Sequence, residues 1–271
     1  MSTSVSLDIR QSTERCFTIV KSIHEFDRIE VRSVIDTLLS PSRREQCFIG
    51  IYLRSIANIA TLLELKRAKH FQAIVMLTRS LFELAVDIRL IGVIPDSCEK
   101  MIEFVDVEKL RTARKALRFK AAHPSAQVET TIYDTFIASN GSRIEAARRA
   151  LWPKPETMSH WSGMRMSGRV KLLNPPFEEI YEVHYPQLSW QVHSGLTGIV
   201  NLKAETFTVM CGQAFKLAAD SHRETLLTMI DEFKLEKANR KIKAKLKVAT
   251  LLPFTDTKEQ EDSLREFASP D

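Results

Sequence analysis

Apolar residues recur at three- and four-residue spacing along most of this chain, the period of an amphipathic helix. In the first segment, about 5–38, Phe17, Val20 and Ile23 are followed, past a polar patch, by Val31, Val34, Ile35, Leu38 and Leu39. Ser40-Pro41 then offers a hydroxyl for a helix N-cap and a proline for the first helical position. The spacing predicts a second helix from there to about Leu65. Residues 70–93, "HFQAIVMLTRSLFELAVDIRLIGV", are apolar in almost every direction around the axis, which predicts a central helix. Further helices are expected at about 97–122, 127–139 and 142–151, with "ASNGS" at 138–142 as a break. Residues 152–177 have no period, and a loop of that length inside a domain is usually functional or disordered. The proline-free stretch 187–249 reads as mostly helical, with Gly195 and Gly198 as break points.

The expected fold is therefore mainly α: a single bundle of seven to nine helices with a long central loop. It would occupy 1–252, leaving 253–271 as a flexible acidic tail. Composition agrees, because 8 glycines in 271 residues and 8% aromatics leave little material for a turn-rich β fold.

Charge sharpens the picture at one place. The net charge is +5, and Lys234, Lys237, Arg240, Lys241, Lys243, Lys245 and Lys247 lie within one segment beside a single acid, Glu236. The rest of the chain is near neutral. A charge run is most often a solvated face; its functional reading is contact with a nucleic-acid backbone. Arg240, Lys241, Lys243, Lys245 and Lys247 are the residues expected to make it. The small apolar face of that helix disfavours a membrane surface.

Cys16, Cys47, Cys98 and Cys211 are far apart, without a CxxC pair, so neither a metal site nor a disulfide framework is expected. The polar N-terminus and the lack of an 18-residue apolar run point to a cytoplasmic chain that spans no membrane. No phosphate-binding loop, dinucleotide fingerprint, zincin motif or nucleophile elbow is present, so no cofactor is expected.

Two polar stripes stand out on apolar helices. Arg79, Glu83 and Asp87 sit four residues apart on the central helix. Tyr185, Ser189 and His193 do the same in "YPQLSWQVHSG". Each has a plain reading: a buried ionic clamp for the first, a wet helix edge for the second. Together they also suit a site in which Arg79 holds an anion, Glu83 orients Arg79, and His193 moves a proton. Arg118 and His123 in "RFKAAH" match the R-x4-H spacing of HEPN ribonucleases, a spacing that an arginine-rich chain produces by accident.

These residues carry a resemblance. "LTRSLFELAVDIRLI" resembles the R-S-x-x-E helix of a bacterial all-helical family of unknown function. "HWSG" at 160–163 and "YPQLSWQVHSG" resemble its W-S-G loop and Y-x-x-x-S-x-x-x-H helix. The resemblance covers about 45–220, with Pro186 and Trp190 as departures. It implies Arg79, Glu83, Trp161, Ser189 and His193 as functional positions, and relatives among HEPN-type proteins of toxin–antitoxin and phage-defence loci.

The expected function is thus a defence-type helical protein acting by nucleic-acid or partner binding. Its pocket would lie between the 70–93 and 186–194 helices, with Tyr185, Ser189, Asp87 and Trp161 around it. The alternative is a metal-independent ribonuclease using His193 as general acid/base with Arg79 and Glu83. RNA or a partner protein of the defence system is the expected partner, and a homo-oligomer the expected state.

Overall fold

The computed structural model describes residues 2–65, 67–153, 158–173, 175–192 and 204–249. Among them are nine α-helices of six residues or more and no strand. They are α1 (Ser2–Phe26), α2 (Arg43–Glu64), α3 (Phe71–Ile91), α4 (Ser97–Ala122), α5 (Thr131–Leu151), α6 (Met166–Lys171), α7 (Tyr185–Val192), α8 (Ala204–Glu232) and α9 (Glu236–Ala249). The mainly α expectation holds. The expected acidic tail, 253–271, lies outside the described residues.

Local chemistry sets the helix ends. α2 begins two residues beyond the expected start, because Ser42 and Glu45 form a reciprocal capping box. The Ser42 hydroxyl accepts from the Glu45 N–H, and the Ser42 N–H donates to Glu45 Oε2 at 2.6 Å. Pro41 serves instead as an acceptor for the Gln46 side chain. By length and composition alone α2 could cross a membrane. Its capping box and its buried Phe48, Tyr52, Ser55 and Ile59 are those of a core helix.

The expected break at 138–142 is absent, and α5 runs straight through Asn140-Gly141. Gly141 is buried there, and a Cβ on it would lie 3.5 Å from Ile137 Cγ2 and 3.9 Å from Leu110 Cδ1. Tertiary packing overrides the turn propensity of Asn-Gly. The described residues of the expected loop 152–177 include a short helix, α6.

The chain divides into two compact units, 1–89 with 174–271 and 90–173. In the first unit α1 lies along α8: Phe17 meets Phe215 edge-on at 5.3 Å, and Thr13 Oγ1 donates to the Thr208 carbonyl. A methyl on Gly212 would come within 3.1 Å of Thr13 Oγ1, so the two helices touch nearly backbone to backbone. α1 runs on into a π-helical turn, Asp27–Arg32, whose Asp27 and Val31 are buried. α9 packs back with Ala238 and Ile242 buried, and Lys241 bonds Glu30 of that turn at 2.5 Å. A second π turn, Ile180–His184, leads into α7.

In the second unit α4 and α5 form a hairpin. Its core is Val107, Leu110, Ile144, Trp152 and Met158, flanked by Phe104, Phe136, Ile137 and Leu151. Arg143 bridges Glu103 and Asp106 across the hairpin, and Arg114 and Arg148 share Glu145.

Candidate functional site

The first unit contains two polar clusters of opposite character. One joins α3 to α7. Arg79 Nε donates to Glu83 Oε1 at 2.8 Å, and Tyr185 Oη donates to the same oxygen at 2.7 Å. The guanidinium carbon lies 5.1 Å from the Tyr185 ring centroid, a cation–π distance. Phe82, one turn from Arg79, packs against the other side of the approach, 5.8 Å from the Tyr185 ring. Tyr185, at the start of α7, thus ties that helix to Glu83 of α3.

The cluster is not sealed. The Arg79 and Glu83 side chains are 25% and 35% exposed. Sequence periodicity suggested a buried stripe; instead Arg79, Glu83 and Asp87 lie half in solvent while Leu81, Phe82, Leu84 and Ala85 around them are buried. Burial lowers the Arg79 pKa, but the Glu83 hydrogen bond and the neighbouring Tyr185 outweigh it and raise the net value. Burial and the bond to Glu83 push the Tyr185 phenol up to about 12. Tyr185 is thus a proton donor across the neutral range. Ser189, one turn further along α7, is half-buried. His193 lies outside the described residues, as does its distance to Arg79.

The second cluster went unseen in the sequence. Asp27, Tyr52, Ser55 and His222 come from the π turn, α2 and α8, and all are at most 1% exposed. Tyr52 Oη donates to Asp27 Oδ1 at 2.5 Å. Ser55 Oγ and His222 Nδ1 are 2.8 Å apart, and His222 Nε2 faces Asp27 Oδ2 at 3.5 Å. Serine, histidine and aspartate in that order are the parts of a hydrolytic triad. Here no substrate can reach the hydroxyl, and the 3.5 Å gap is too long to orient an imidazole well. The cluster acts as a polar lock between three helices. Its sequence signal was a polar residue inside an apolar stripe: Ser55 between Ile51 and Ile59, His222 between Ala218 and Leu226. Burial and the hydrogen bond to Asp27 drive the Tyr52 pKa far up. Burial also lowers that of His24, whose Nδ1 is buried without a partner among the described residues.

The remaining expected residues lie on other elements. Trp161 belongs to the second unit, where it is 4% exposed and its carbonyl accepts from Trp152 Nε1 at 2.8 Å. The W-S-G turn needs its glycine: Gly163 has φ +72°, and a Cβ there would approach Trp152 Cδ1 to 3.3 Å. Arg169 Nη1 lies 2.9 Å from His160 Nε2. His160 Nδ1 lies 2.9 Å from Ser162 Oγ and 3.2 Å from the Ser162 backbone nitrogen. Arg118 and His123 are exposed, and the His123 ring stacks on Phe119 at the end of α4. Of the basic helix, Arg240 and Lys241 are exposed, Lys241 on Glu30; the side chains of Lys243, Lys245 and Lys247 lie outside the described residues. Among the described residues no three His, Cys, Asp or Glu side chains are grouped to hold a metal ion.

A third feature was not foreseen. A pocket of about 460 Å³ opens between the second π turn with α7 and the face of α8, floored by Phe71 and Val75 of α3.

Compared with known proteins, residues 46–206 match a family of unknown function, DUF5677. The match covers more than half of the chain, which belongs to that family. It contains Arg79, Glu83, Trp161, Tyr185, Ser189 and His193 and stops short of the basic helix. No curated protein and no solved structure matches.

Proposed function

We propose that this member of the DUF5677 family is a binding protein of a bacterial defence system, of phage-defence or toxin–antitoxin type. Its Arg79/Glu83/Tyr185 cluster would hold a phosphate of RNA. The observation that carries this reading is the shared oxygen: Glu83 Oε1 accepts from both Arg79 Nε and Tyr185 Oη. A guanidinium held at Nε and stacked on a ring is pre-oriented, and most of its five N–H donors are left for a ligand. Its partial exposure supports access. A purely structural clamp has less need of exposure, and the first unit already has a sealed lock elsewhere. The basic helix α9 supplies a second, sequence-independent attraction for a phosphate backbone. The defence setting rests on the motif resemblance to HEPN-type relatives.

The test is fluorescence anisotropy of labelled single-stranded RNA with the wild type, Arg79→Ala and Arg79→Lys, at several salt concentrations. Arg79→Ala should weaken binding about tenfold or more. Arg79→Lys should recover only part of it, because an ammonium cannot replace the planar fork. Equal affinity of all three proteins, or no RNA binding at low salt, would refute the proposal. The same RNA run on a denaturing gel decides the ribonuclease alternative: cleavage by the wild type and not by His193→Ala would convert the binding site into an active site.

A further inference from the structure

The pocket beside α7 has the size of a ligand site, since small-molecule clefts run roughly 300–1,000 Å³. Its walls are apolar and fixed: Phe71, Val75, Leu188, Ala214 and Leu217 are each no more than 8% exposed. These side chains come from three helices of one unit and form a buried floor beneath an open mouth. Its polar groups come from two sides, Glu179, His184 and Gln187 on one and Gln213, Lys216 and Asp220 on α8. Glu179, Gln187 and Gln213 are exposed, which puts them toward solvent from the buried floor.

The charges select the ligand. Lys216 Nζ is 2.7 Å from Asp220 Oδ2, so the one lysine of the lining is already ion-paired. With histidine counted neutral, Glu179 leaves the lining one negative charge in excess. An anionic head group would meet uncompensated negative charge, whereas an amine or hydroxyl would find carboxylate and amide acceptors. We propose that this pocket is a small-molecule site for an apolar compound carrying an amine or hydroxyl head, with acids excluded. The apolar body would lie on Phe71, Val75 and Leu217, and the head at Glu179 and the two glutamines. This assignment is independent of RNA binding, because neither Arg79 nor Glu83 lines the pocket.

The experiment titrates the full chain with 2-naphthalenemethanol, 2-naphthylmethylamine and 2-naphthoate, followed by naphthyl fluorescence and saturation-transfer NMR. The three probes share a ring system and differ in the head. The alcohol and the amine should bind saturably at one site, and the acid about tenfold more weakly or worse. Gln187→Trp and Gln213→Trp, at exposed positions of the lining, should each fill the cavity and weaken the alcohol about tenfold without lowering the melting temperature. Glu179→Gln should narrow the gap between amine and acid. Two blocking variants on different helices guard against one misfolding. Absence of saturable binding, equal affinity for the acid, or full binding to both tryptophan variants would overturn the proposal.

Discussion

Tyr52 and Tyr185 each donate a phenol proton to a carboxylate, at 2.5 and 2.7 Å, and differ chiefly in burial. Replacing each by phenylalanine removes one hydroxyl and almost no volume, so the pair isolates the value of a sealed against a wet bond. Tyr52 is 0% exposed and Asp27 1%, and Asp27 Oδ2 already has no hydrogen-bond donor among the described residues. Tyr52→Phe strands Oδ1 as well. A hydrogen bond to a charged group contributes about 1.5–3 kcal/mol, and stranding a buried charge moves the cost to about 3 kcal/mol. Glu83, in contrast, keeps Arg79 and reaches water. Tyr185→Phe should therefore cost less than about 1 kcal/mol. Urea denaturation followed by circular dichroism at 222 nm gives both values from midpoint and slope. Adding Asp27→Asn to Tyr52→Phe should restore part of the loss, because the uncompensated charge is then gone. If Tyr185→Phe proves as costly as Tyr52→Phe, or Tyr52→Phe costs under about 0.5 kcal/mol, the division into a sealed lock and an open cluster is wrong.

Two further outcomes follow from single residues. Gly141→Ala should stabilise by about 0.5–1 kcal/mol, because α5 is continuous there and the added methyl meets only ordinary contacts; destabilisation in the same urea assay would restore the break that Asn-Gly suggests. His24 has a folded pKa below its ordinary value, chiefly through burial, so the unfolded chain takes up the proton more readily. Its contribution to stability is whole above about pH 6.5 and is lost as pH falls through that value towards the lowered one. His24→Gln should flatten this part of a stability–pH curve, and an unchanged slope would remove His24 as its source.

Helix content was legible from the chain because apolar spacing is a local property, fixed by which side chains must leave water. α3 was readable to within two residues at each end, and so was the pairing of Arg79 with Glu83, since residues four apart on a helix are neighbours whatever surrounds them. Even the meeting of α3 with α7 was accessible, from two polar stripes on apolar helices. What periodicity could not supply was depth. The Arg79 stripe looked sealed and is half in solvent, while Asp27, Tyr52, Ser55 and His222 looked unremarkable one by one and are buried together. Their partners lie 25 to 195 residues apart, so only the crossing of α2, α8 and the first π turn brings them into contact. The pocket has the same origin. It is the space left where a short helix and a π turn stand against α8, and no residue of its lining signals it alone. The sequence by itself determined which faces must be covered; the tertiary packing decided which polar groups were covered with them, because burial depends on neighbours distant in the chain.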